Sequence, residues 1–200
     1  MLGAAPGVGK STLCAGLAEW LSGRGLRVDH FREEEVLSRE SFAEVAAEFR
    51  AGDLVRLETL LTATASFVTS ASADVVIADS LLPYVPSLRA WGYPTETIAE
   101  FLSSLSAVVS PVVLYLDGDS LVTLSRAAAR EGSGWLDWFV AKLAGYPGST
   151  VHDLRTAAAY LIQERDLTLR LLAGWDVHVI AAGSPEAGLA AARDVLRAYV

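Results

Sequence analysis

The sequence predicts an α/β fold, a parallel sheet with helices on both faces. Three observations carry that expectation. A glycine-rich loop, GAAPGVGKST over 3–12, runs straight into a helical pattern. Short apolar runs then alternate with longer stretches of helical periodicity as far as Val200. Two of those apolar runs end in an aspartate, at the strand ends where ligands bind in such sheets.

The elements follow in order. Only Met1 and Leu2 precede the loop, so the first strand is expected to be very short. The expectation is that it is cut short or that the natural start lies upstream, with more apolar residues before Met1 adding stability. The helix from Lys10 carries Leu13, Leu17, Trp20 and Leu21 at helical spacing and ends at SGRG. LRVDHF (26–31) reads as a strand, and 38–52 and 54–72 read as helices. DVVIADS (74–80) reads as a buried parallel strand. Residues 95–109 read as a helix with Thr95 as its N-cap, and 111–119 as another strand. Two helices then flank an insert, GSGWLDWFVAKLAGYPGS. WDVHVIAAG (175–183) is the last strand, and a helix opened by Ser184 and Pro185 closes the chain. With no repeat, low-complexity tract or linker, 1–200 is expected to form one domain.

Composition narrows the function classes. Two hundred residues suit one domain with a proper core. Hydrophobic content is 52% and mean hydropathy +0.36, yet no apolar run reaches membrane-span length. The net charge of −8 argues against a nucleic-acid backbone as main partner. Cys14 is the only cysteine, so no internal disulfide forms; on the first helix it reads as a small buried residue. His30, His152 and His178 show no metal-ligand spacing. No signal-peptide pattern is present. These features lead to the expectation of a cytoplasmic protein without membrane partners.

The loop fits the phosphate-binding pattern G-x-x-x-x-G-K-[ST]. Gly9-Lys10-Ser11 fills its end, and the first glycine position falls on Ala4, one place after Gly3. Ala5, Pro6, Gly7, Val8, Gly9, Lys10, Ser11 and Thr12 form the expected nucleotide-binding stretch. Gly7 and Gly9 allow successive backbone N–H groups to face an anion. Lys10 supplies a positive charge for the β- and γ-phosphates. Ser11 offers a hydroxyl to Mg²⁺, and the helix N-terminus faces the phosphates.

The other strand ends carry charge. After LRVDHF come Arg32, Glu33, Glu34 and Glu35. Asp79 ends the next apolar strand and reads as a Walker B acid for Mg²⁺, with a turn or helix cap as the alternative. Asp117 and Asp119 follow, then a helix with Arg126 and Arg130 on one face. The glutamate run also suits a solvated face, and the arginines also suit pairing with surface acids such as Glu131. A phosphate cradle, acids on strand ends and paired arginines are the parts phosphoryl transfer needs.

The segment PVVLYLDGDSLVTLSRAAAREG (111–132) resembles the strand, Leu-Asp and Leu-x-Arg-x-x-x-Arg helix of P-loop deoxynucleoside and thymidylate kinases. That resemblance implies a three-layer P-loop kinase fold with a five-stranded parallel sheet in the order 2-3-1-4-5. It implies a helical lid over about 126–150, with Arg126 and Arg130 as lid arginines closing on ATP. It implies that Glu33 or Glu34 takes the proton of the acceptor hydroxyl; the sequence leaves Glu33, Glu34 and Glu35 open. Asp79-Ser80 departs from the arginine that follows the acid in those kinases. Chloramphenicol phosphotransferase-like antibiotic kinases are similar at this level. The expected activity is transfer of the γ-phosphoryl of ATP to a nucleoside-like or other small hydroxyl acceptor, with an antibiotic or secondary metabolite as the second choice. Homodimers are common in the resembling kinases, and the apolar stretch 54–72 is the candidate face.

The expected acceptor side is aromatic. Tyr84, Arg89, Trp91 and Tyr93 follow the Walker B strand, and Trp135 lies in the insert with Trp138, Phe139, Lys142 and Tyr146. Such rings stack on planar ligands, and they equally pack between helices. Gly132 and Gly134 are candidate hinges. A nucleotide switch or ATPase working through a protein partner is the rival class. The chain lacks an Asn-Lys-x-Asp guanine motif and has Ser80 where a motor ATPase would place a water-orienting glutamate.

Overall fold

The structure is a computed structural model that describes residues 1–3, 5–52, 54–79 and 84–200. Ala4, which takes the first glycine position of the loop pattern, lies outside them. So do Asp53 and the stretch Ser80–Pro83 that follows Asp79.

Strands and helices alternate as the pattern predicts. The strands are β1 (Leu2–Gly3), β2 (Val28–Phe31), β3 (Val75–Ala78), β4 (Val112–Asp117) and β5 (Asp176–Ala181). The helices are α1 (Lys10–Ser22), α2 (Ala43–Ala51), α3 (Leu57–Ser70), α4 (Val85–Ala90), α5 (Thr95–Val108), α6 (Ser120–Glu131), α7 (Ser133–Ala144), α8 (Leu154–Leu171) and α9 (Pro185–Leu196). All pairings are parallel, but they form two ladders rather than one. One has the order β1-β4-β5, and the other pairs β2 with β3. Among the described residues, Leu2 and Gly3 of β1 pair with Tyr115 and Leu116 of β4. Between the ladders the Met1 ammonium donates to the Ala78 carbonyl at 2.7 Å.

Strand alternation sorts side chains into two cores. Phe31, Val113 and Tyr115 point into a core with Phe42, Leu60, Phe67 and Leu102. Ile77, Leu114 and Leu116 point the other way, onto Leu13, Cys14, Leu17 and Leu21 of α1 and Ala192 of α9. Each fully buried Leu or Phe contributes about 1.5–3 kcal/mol of burial energy, so both faces hold the strands in place. α3 spends Leu60, Ala63 and Phe67 on the first core.

A third cluster joins α6, α7 and α8 through Leu124, Phe139, Leu143, Ala157 and Ala158. The predicted insert is therefore a packed helical unit. One residue, Gly132, separates α6 from α7 at φ 96°, ψ 170°, a conformation that a side chain disfavours.

Two local readings are corrected. The helix expected over 38–52 starts only at Ala43, because Glu33–Leu37 and Glu40–Phe42 form short 3₁₀ turns first. Arg39 stabilises this stretch by bridging Asp29 at 2.7 Å and Glu35 at 2.8 Å. Thr95 is not an N-cap: Pro94 holds that position with φ −60°, and Thr95 is the first helical residue. Among the described residues, no helix is long and apolar enough to cross a membrane.

Candidate functional site

The glycine-rich loop links β1 to α1, and its glycines have distinct duties. Gly7 lies at φ 79°, and a Cβ there would come within 2.7 Å of the Thr123 carbonyl on α6. Gly9 lies at φ 102° and caps α1, and a Cβ there would meet nothing within 4 Å. Gly7 is thus required by packing against α6, whereas Gly9 borders open space at the helix N-terminus. Val8 and Ala5 are buried and anchor the loop, with Val8 N–H donating to the Ala5 carbonyl at 3.4 Å. Pro6 is half-buried, and Ser11 and Thr12 are exposed on the first turn of α1.

Lys10 is half-buried, and burial lowers its ammonium below the ordinary value. Asp79 and then Glu33 act against that shift. Asp79 follows β3, is buried, and is fixed by its N–H donating to the Phe31 carbonyl at 2.9 Å. Glu33 opens the 3₁₀ turn after β2. Loop, β3 end and β2 end therefore deliver one lysine and two carboxylates to the same electrostatic neighbourhood.

The structure separates the three glutamates. Glu33 keeps solvent access, yet the protein around it removes part of its hydration, and desolvation raises its carboxyl above the ordinary value. Solvent access limits how far that desolvation acts. Lys10 opposes the shift, and Lys142 from α7 does the same more weakly. Glu35 is committed to Arg39. Glu34 is exposed. Glu33 is the member of the run that shares the field of Lys10 and Asp79.

Lys142 is the charge that sequence reading missed, having entered only among the insert's aromatics. It lies 5.3 Å over the Trp138 ring on α7. Its positive charge acts on Glu33 at the β2 end.

On α6, Thr123 and Ala127 meet the loop, and Arg126 and Arg130 lie three residues further along, on the adjoining face. Arg130 is exposed and pairs with Glu131 at 2.8 Å, as the alternative reading had it. Arg126 is exposed. Asp119 caps α6 by accepting from Val122 N–H at 2.9 Å. Asp117 is held by Arg165, whose Nε donates to it at 2.8 Å. Beside them a hollow of about 720 Å³ is lined by Asp117, Gly118, Ser120, Arg155, Ile162 and Arg165. It adjoins the loop, since a Cβ on Gly118 would come within 3.3 Å of Val8.

The expected acceptor residues have other work. Tyr84 is buried at 5% exposure, and its hydroxyl shares a 3.0 Å hydrogen bond with Thr64. Trp91 and Tyr93 pack on the same core, and the Tyr93 hydroxyl donates to the Val55 carbonyl at 2.9 Å. Arg89 reaches Glu164 at 3.4 Å, in a groove between α4, α5 and α8. Trp135 stacks on Phe139 at 5.0 Å inside the α6–α8 helical unit. The structure does not bring these five together around Lys10.

One further grouping has no signature in the sequence. Cys14, His30 and Asp79 converge on the α1 face of β2 and β3. Burial pushes the Cys14 thiol up to about 12.

No protein-family model matches the chain, and no curated protein matches it significantly.

Proposed function

We propose that the chain is an ATP-dependent phosphotransferase of the P-loop kinase kind, acting on a nucleoside-like or other small hydroxyl-bearing acceptor. The observation that carries this reading is the convergence of Lys10, Asp79 and Glu33 from three separate strand ends beside a left-handed Gly9 at a helix N-terminus. In this reading the two ladders are parts of one sheet in the order 2-3-1-4-5. The Met1–Ala78 hydrogen bond supports that adjacency.

The residues present fit a Mg²⁺–nucleotide. The open space at Gly9 leaves room for a phosphate, and the following helix offers free N–H groups to it. Ser11 and Asp79 are hard oxygen donors of the kind Mg²⁺ prefers. Bound Mg²⁺ would supply charge neutralisation across the β- and γ-phosphates. The hollow between α6, α8 and the β4 end suits the nucleoside portion by size.

Lys10 holds phosphate charge through its ammonium. Glu33 accepts the proton of the acceptor hydroxyl as that oxygen bonds to the γ-phosphorus and the bond to the β,γ-bridging oxygen breaks, releasing ADP. Desolvation suits Glu33 to this work, because it raises its affinity for a proton. Arg126, on the helix face next to the loop, supplies a further cation for the developing charge.

The test is a transfer screen. The protein is incubated with ATP, Mg²⁺ and a pooled panel of nucleosides, nucleotides and antibiotics, and phosphorylated products are sought by mass spectrometry. One phosphorylated species is expected, and Lys10→Ala should reduce its rate by roughly 10²–10³ or more, the scale of losing a charge stabiliser. Transfer undiminished in Lys10→Ala overturns the site assignment. Steady ATP hydrolysis with no product across the panel favours a partner-coupled ATPase instead.

A further inference from the structure

We infer that Cys14, His30 and Asp79 form a three-ligand binding site for a borderline-soft divalent cation, with Zn²⁺ the natural choice. The fold builds the group from three elements. His30 is the third residue of β2 and sits in register with Ile77 of β3. Asp79 lies two residues beyond Ile77, so alternation sends it to that same face. That face is covered by α1, where Cys14 is fully buried beside Ile77. One ligand atom from each residue lies within 4.8 Å of the other two.

The donor chemistry distinguishes this site from the Mg²⁺ reading of Asp79. Mg²⁺ takes oxygen ligands, whereas a thiolate and an imidazole beside one carboxylate select Zn²⁺ and its neighbours. Tetrahedral Zn²⁺ with bonds of about 2.0–2.3 Å needs donors roughly 3.3–3.8 Å apart, so closure takes about an ångström of side-chain movement. Three protein donors leave a fourth position for water or substrate oxygen, as in zinc sites that do chemistry.

A second observation points the same way. His30 Nε2 is sealed from solvent and has no hydrogen-bond partner among the described residues. A buried nitrogen left so is costly, and a metal bond or a proton passed to a partner is what removes that cost. Binding displaces the thiol proton: Cys14 S–H and Zn²⁺ give Cys14 S–Zn and a released H⁺. The Met1 ammonium and then Lys10 share this neighbourhood, and their positive charges oppose a further cation. Affinity is therefore expected well below that of closed four-ligand zinc sites.

Cobalt substitution tests the site on the full chain without any turnover. Metal-free protein is titrated with Co²⁺ and then Zn²⁺ while near-ultraviolet and visible absorption are recorded. The expected result is one equivalent of Co²⁺, a thiolate-to-cobalt charge-transfer band, and loss of that band as Zn²⁺ displaces Co²⁺. Because Cys14 is the only cysteine, the band can come from nowhere else in the chain. Cys14→Ser should abolish the band, and His30→Gln should weaken binding at least about tenfold. Wild-type protein that shows no charge-transfer band with saturating Co²⁺ overturns the proposal, whatever the variants do. Unchanged affinity in His30→Gln also overturns it, because the cation would then be held by Cys14 and Asp79 without the imidazole. Either failure leaves the phosphotransferase reading standing, since none of these measurements involves ATP.

Discussion

The loop side and the aromatic side of this molecule were equally prominent in the sequence, yet the structure treats them differently. On the loop side, the site is made by backbone. Gly7 and Gly9 hold left-handed conformations, and Lys10 sits where the loop becomes a helix. Ten consecutive residues specify most of it. On the aromatic side, any site has to be made by side chains from distant elements. Tyr84, Trp91 and Tyr93 have instead been drawn into the core by their own apolar surface. A backbone motif carries its geometry within its sequence, whereas an aromatic residue carries only a tendency to be buried.

The sharpest way to press this comparison is at Glu33, where a side chain does belong to the loop side. Glu33→Gln should lower kcat by about 10²-fold, the usual scale for a general base, while Glu34→Gln stays within about threefold. The pH profile gives an independent check. A base works deprotonated, and desolvation raises the folded pKa of Glu33 above its ordinary 4.5. Activity should be present at high pH and fall as pH drops through that raised value. Lys10 must keep its proton, and burial lowers its pKa below the ordinary 10.5, so a second limb should appear as pH rises. In Glu33→Gln the acid limb should disappear and the alkaline limb remain. Equal losses from Glu33→Gln and Glu34→Gln would return the glutamate run to a solvated face.

A smaller effect tests the aromatic side. Tyr84→Phe removes a buried hydroxyl whose partner is Thr64, which keeps its own 2.8 Å hydrogen bond to the Leu60 carbonyl. Chemical denaturation should report a loss of about 0.5–1.5 kcal/mol, with KM for the acceptor unchanged. A changed KM with unchanged stability would make Tyr84 a binding residue after all.

Much of the fold was readable because helix periods, apolar runs and terminal glycines are local signals. Every expected strand and helix has a counterpart, and the misses have physical causes. Residues 33–42 fold into 3₁₀ turns because Arg39 ties Asp29 to Glu35, a link across ten residues that no window detects. Pro94 takes the cap position from Thr95 because its ring already fixes the entry angle. Among the described residues, β2 and β3 pair apart from β1, β4 and β5, a division that no local signal marks. The Cys14–His30–Asp79 group was invisible for a deeper reason. Its members are 16 and 49 residues apart, and only register between β2 and β3 brings them under α1. Histidine spacing along the chain excludes local metal motifs and nothing else.

A finer contrast concerns the two arginines of α6, which sequence spacing makes equivalent. The structure does not: Arg130 already has Glu131 as an exposed partner, and Arg126 lies one turn nearer Asp119, at the end of α6 where Thr123 meets the loop. Arg126→Ala should reduce kcat roughly tenfold or more, as expected for a cation acting on transition-state charge. Arg130→Ala should stay within about twofold, because an exposed pair contributes little and its loss leaves a solvated glutamate. Raising the salt concentration should narrow the gap between the two variants if the Arg126 effect acts through solvent, and preserve it if water is excluded from the site during transfer. The reverse order, with Arg130 the costlier loss, would mean that Glu131 is released on closure and that α6 turns Arg130 toward the phosphates.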